Sequence, residues 1–179
     1  MERIKVTQDF YPTGLKLRHV GFLELEEYYR WLKRWVDFQG YGDESGAAGE
    51  FDEVYYKEEA SPRGGRNIEM MWRVKKRHTN YIKFVIEIMF RMLGVRDAEA
   101  IIENKKIKVD MGDFEIQVSS YLEKTYKVTP LRRLYDFFII RKQLLDFREE
   151  LWQKTMLLFT ESKQYFDRYR DVKMGGPSY

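Results

Sequence analysis

The chain has no cysteine, only two histidines and only four prolines in 179 residues. Without cysteine there is no disulfide framework, no thiolate nucleophile and no cysteine-ligated zinc or iron–sulfur centre. His19 and His78 stand in neither a His-x-x-x-His nor a Glu-x-x-His spacing, the patterns that set two metal ligands on one helix face. Each reads as a surface or turn residue. No apolar run approaches the roughly 20 residues that a bilayer-crossing helix needs. Met1 opens no secretory signal, because Glu2, Arg3 and Lys5 are followed by no apolar stretch, so a cytoplasmic protein is expected. A dominant charge is missing too. With 32 Lys and Arg against 29 Asp and Glu, the net charge of +3 does not by itself announce a polyanion partner or an acidic substrate. The lack of Cys and the presence of only three Asn beside abundant Lys, Arg and Glu is the direction in which thermophile proteins drift.

The familiar chemical signatures are absent as well. Gly40-Tyr41-Gly42 lacks a third glycine and follows a helix, so no helix N-terminus is aimed at a phosphate. There is no Gly-x-Ser-x-Gly elbow, and neither Ser119 nor Ser120 sits on a strand-to-helix turn. The acidic groups Asp43-Glu44, Glu50-Asp52-Glu53 and Glu58-Glu59 read as solvated edges, and Ser61-Pro62-Arg63-Gly64-Gly65-Arg66 reads as a hairpin tip before it reads as an anion site. No catalytic residue, metal site or cofactor is assigned, and a non-enzymatic protein is expected.

What the chain does contain is alternation. The 44% hydrophobic content suits a packed core, and 179 residues suit one domain, taken as 1–172 with a flexible tail at 173–179. Ile4 and Val6 share one side of an N-terminal strand that Leu15 and Leu17 continue or pair with. Residues 22–39 place Leu25, Tyr28, Tyr29, Leu32, Trp35 and Val36 at helical spacing, with acids early, bases late and Gly40 as a stop. The glycine-rich segment 41–50 reads as a loop. Strands then follow over 51–60 and over Ile68 to Val74. A third runs from Ile82 to Met92, before a turn at Gly94 to Glu99. Ile107 to Met111 and Phe114 to Leu122 complete the series, separated by a Gly112-Asp113 turn.

The final segment is the longest feature. Thr129-Pro130 is a good helix opening, and neither Gly nor Pro recurs before Gly175. A helix over 130–170 would run about 60 Å. The expected fold is therefore α+β: an antiparallel meander of about five to six strands, covered on one face by helix 22–39 and by the long C-terminal helix. This element order resembles the helix-grip architecture, in which a curved sheet wraps a C-terminal helix and often leaves an apolar cavity.

Three functional readings follow. Phe137, Ile140, Leu144, Phe147, Leu151 and Leu158 form one stripe of the long helix, and Leu134, Phe138, Leu145, Trp152, Met156 and Phe159 form a second. That is more apolar surface than one sheet face needs. The half from Leu151 onward is expected to project and to join a second copy, most simply as a homodimer, or a larger assembly, through Leu151, Trp152, Leu158, Phe159, Tyr165, Phe166 and Tyr169. Arg141, Arg148 and Ser162 interrupt every heptad frame, which argues against a continuous coiled coil. The alternative is RNA or single-stranded nucleic acid on the outer sheet face, through Arg73, Lys75, Arg77, Lys83, Arg91, Lys106 and Lys108 with Tyr81 and Tyr121. Glu69, Glu87, Asp110, Glu115 and Glu123 on the same face nearly balance those bases, so this partner is not favoured. The third reading is an apolar ligand held among Trp72, Phe84, Phe90, Phe114 and Phe138.

Overall fold

The alternating segments became strands with one apolar side, whereas the strand at 53–60 is exposed on both sides. The computed structural model describes residues 3–7, 14–42, 53–62, 64–102, 105–125 and 141–170. Its elements are β1 (Arg3–Lys5), β2 (Leu15–Leu23), α1 (Leu25–Phe38), β3 (Glu53–Ala60), β4 (Arg66–Arg77), β5 (Ile82–Ile102), β6 (Lys105–Lys124) and α2 (Arg141–Asp167). The strands form one six-stranded antiparallel sheet in which β6, β5, β4 and β3 are successive neighbours, while β1 and β2 both lie along the free side of β6. The α+β architecture, with helices packed on one face, is as expected.

Register explains the core. Leu15, Val118, Ile88 and Trp72 form one row across four strands, and all four are buried. Alternation places their neighbours in sequence on the opposite face. Two helices cover the apolar rows. From α1, Tyr29 meets Trp72 edge-on at 4.9 Å between ring centres; from α2, Phe147 meets His78 at 4.6 Å. The helices touch each other where Tyr28 packs against Tyr165 at 5.1 Å and Phe166 at 5.0 Å.

Several boundaries differ from the expectation. Phe22 and Leu23 belong to β2, not to the helix. The predicted turn at Gly94–Glu99 is a bulge: Gly94 adopts φ 63°, the register shifts between Leu93 and Arg96, and β5 runs on for 21 residues. Gly112 likewise lies inside β6, directly opposite Gly21 of β2, and a Cβ there would lie 3.3 Å from the Val95 Cα. A glycine between alternating runs can mark close backbone approach or a bulge as readily as a turn. The predicted helix start at Pro130, the loop 43–50 and the tail 173–179 lie outside the described residues.

Candidate functional site

The proposed anchors of the C-terminal helix are mostly core residues. Leu151, Leu158, Tyr165, Phe166 and Tyr169 are buried within their own chain, and Trp152 and Phe159 are half-buried against the same core. The expectation that the second half of the helix projects is therefore corrected: from Leu151 onward the helix is docked, and Leu145, in its first half, is the more exposed. The physical reason lies in two small polar residues. Thr155 and Ser162 fall on the buried stripe, where bulky side chains would hold the helix off the sheet and its neighbour. The Thr155 Oγ1 lies 2.7 Å from the Leu151 carbonyl oxygen, to which it donates, and 2.9 Å from Ser120 Oγ. The Tyr28 hydroxyl donates to Ser162 Oγ at 3.0 Å.

The apolar-ligand residues are equally committed. Trp72, Phe84, Phe90 and Phe114 are buried. Trp72 meets Phe90 edge-on, Phe84 stacks under His78 at 4.2 Å, and Phe114 stacks on His19. Phe138 lies outside the described residues. Both histidines thus serve packing, and His19 also holds the Phe22 carbonyl oxygen at 2.8 Å from Nε2. Among the other candidates, Arg66 is engaged by Glu58, Asp97 and Asp110, while Glu59 pairs with Lys57. No group of acidic or histidine side chains among the described residues is arranged to hold a metal ion, and no described helix is long and apolar enough to cross a membrane.

The sheet face that no described helix covers, the helix-free face, remains, and register resolves it into rows. Lys57, Glu69, Arg91, Glu115 and Arg18 stand side by side across β3, β4, β5, β6 and β2, so the sign of charge alternates at every step. Arg91 approaches Glu69 at 3.3 Å. In the adjoining row stand Tyr55, Met71, Met89, Gln117 and Lys16. A shallow depression of about 360 Å³ lies over these two rows, with Met71 and Met89 between Tyr55 and Gln117. Met89 is 48% exposed and Tyr55 45%, and on the same face Leu93 is 43% and Val20 69% exposed. Arg18 grips Asp113 with two bonds of 2.9 and 2.5 Å, which hold the Asp113 carboxyl below the usual aspartate range.

The seven basic residues expected on this face do not form one patch. Arg73, Lys75, Arg77 and Lys83 gather at the β4–β5 hairpin end; Arg91 sits in the alternating row; Lys106 and Lys108 lie beyond the β5 bulge beside Glu99, with Lys106 in contact with its carboxylate. Arg3 and Lys5 of β1 join the hairpin end, opposite Glu123 and Tyr121. Sequence reading missed them because alternation shows that they point away from Ile4, but not which strand they border. Arg3 lies over the Tyr121 ring at 4.9 Å, and burial near Glu87 pushes the Tyr121 phenol up to about 12.

Comparison with known protein families, with characterised proteins and with solved structures finds no match.

Proposed function

We propose that this protein is a non-enzymatic association module that pairs with a second copy of itself through the helix-free face of its sheet. The observation that carries the reading is the exposure of Val20, Tyr55, Met89 and Leu93 on that face, around the depression over Met71 and Met89. Tyrosine and methionine are enriched in protein interfaces, and an exposed apolar group rimmed by paired charges is the usual anatomy of one. The alternating row suits a like partner. A second copy turned about a two-fold axis parallel to the strands and offset by one strand sets Lys57 against Glu115 and Arg91 against Glu69, while Arg18 stays on its own Asp113. The C-terminal helix contributes by filling the core, leaving the sheet as the contact surface.

Light scattering over a wide concentration range tests this. The expected result is a dimer that dissociates on dilution, with Met89→Glu raising the dissociation constant at least about 10-fold, or about 1.4 kcal/mol. Leu157→Glu, at an exposed position of α2, should leave it unchanged. A monomer at every concentration, or equal effects of the two substitutions, refutes the reading.

A further inference from the structure

The two ends of the helix-free face differ in charge, and no whole-chain count reveals this. Toward the β5 bulge the face carries Lys16, Arg18, Lys57 and Arg91 against Glu59, Glu69, Asp113 and Glu115, which is neutral. Toward the β4–β5 hairpin its described residues carry six bases, Arg3, Lys5, Arg73, Lys75, Arg77 and Lys83, against two acids, Glu87 and Glu123, a net of +4 among them. The acids here are already engaged: Glu87 holds Arg73 at 2.8 Å and Glu123 lies 3.7 Å from Lys75. Val85 and Tyr121 of this end are buried, so it presents charge and little apolar surface. Arg73, Lys75 and Arg77 follow one another at every second residue of β4, about 6.7 Å apart, and Lys83 and Arg3 extend the row of Arg77 across the sheet.

We propose that this hairpin end is a docking face for the phosphodiester backbone of single-stranded RNA. The excess of positive charge with little exposed apolar surface fits a polyanion and not a second copy of a chain whose own net charge is positive. Tyr121 is too buried to offer its face to a base, so recognition is through phosphates and tolerant of sequence. This inference stands apart from self-association, which uses the neutral part of the face.

The test is fluorescence anisotropy of a labelled oligouridylate with the full chain at increasing salt. About four neutralised phosphates predict a slope of log affinity against log salt of about −3. The double substitution Lys5→Gln, Arg77→Gln should weaken binding about 10-fold at low salt and flatten the slope by about 1.4. Lys106→Gln, Lys108→Gln makes the same change in net charge on the far arm and should change affinity less than about 2-fold. All four side chains are exposed, and circular dichroism verifies that both variants fold. Absence of RNA binding, a salt-independent affinity, or equal weakening by the two double variants overturns the proposal. So does binding to phosphatidylserine vesicles without binding to RNA.

Discussion

At the scale of single residues, a few polar groups inside the core decide how closely the layers approach. Ser162 accepts the Tyr28 hydroxyl, and its small size lets α2 settle on β6 and β2 with Tyr28 of α1 against it. Ser162→Leu should cost about 1–3 kcal/mol by overpacking and by leaving that hydroxyl unpaired, read as a shift in urea midpoint at constant slope. Tyr41 is the converse case. It is buried beside the end of α1, and its hydroxyl finds no hydrogen-bond partner among the described residues. Burial, with Glu150 adding repulsion, raises its phenol well above the ordinary value. A buried hydroxyl without a partner carries a desolvation cost and returns nothing. Tyr41→Phe should therefore leave stability unchanged or raise it by up to about 1 kcal/mol. A loss of that size would show that the hydroxyl has a partner in solution.

At the scale of elements, α1 shows how distant parts of the chain complete one helix. Its C-terminus closes locally: Gly40 takes φ 72°, its N–H donates to the Asp37 carbonyl, and Tyr41 N–H donates to Val36. Lys76 of β4 adds a bond to the Gln39 carbonyl at 2.8 Å. At the N-terminus, Glu24 supplies no side-chain cap, and Asp110 of β6 accepts the Leu25 N–H at 3.4 Å instead. Burial raises the Asp110 pKa despite that bond and Arg66, whereas Arg18 lowers that of Asp113. The signs are opposite. The Asp110 contribution is complete below the ordinary value of 3.8 and lost as pH rises through its folded value; the Asp113 contribution is present above 3.8 and lost as pH falls through its folded value. Denaturant titrations should show Asp113→Ala losing less stability than the parent on acidification, and Asp110→Ala losing more. Arg18 is exposed to solvent, so screening keeps the worth of its pair with Asp113 small. Sequence reading found the apolar faces of α1 and β4–β6 because alternation and helical spacing are local properties. It could not find Asp110 as a cap for Leu25, 85 residues away, nor distinguish the bulge at Gly94 from a turn, because tertiary neighbours decide both. The same limit misplaced the C-terminal helix: Thr155 and Ser162 look like breaks in an apolar stripe until Ser120 and Tyr28 are set against them.

At the scale of the whole molecule, the sheet separates an aromatic interior from a charged exterior, and burial on one side or the other leaves several phenols that resist ionisation. Tyr28, Tyr41 and Tyr165 are raised well above 10, chiefly by burial, and Tyr121 reaches about 12. They tie together parts of the chain far apart in sequence: Tyr28 and Tyr165 join the two helices, Tyr41 follows α1, and Tyr121 faces the basic end of the sheet. A phenol whose folded value is raised above its unfolded value of 10 adds stability that is complete below pH 10 and lost as pH rises through the folded value. Four such groups, with Tyr28 and Tyr165 side by side and Tyr41 and Tyr121 elsewhere, make the effect cumulative. Stability should therefore be nearly constant up to about pH 9 and fall steeply above about pH 10. A spectrophotometric titration should show Tyr28, Tyr41, Tyr165 and Tyr121 ionising only as circular dichroism reports loss of structure. Tyr121→Phe should make the alkaline fall shallower, because one of the linked ionisations is removed. If Tyr28, Tyr41, Tyr165 and Tyr121 ionise near pH 10 with the fold intact, solvent reaches these phenols far more freely than this packing allows.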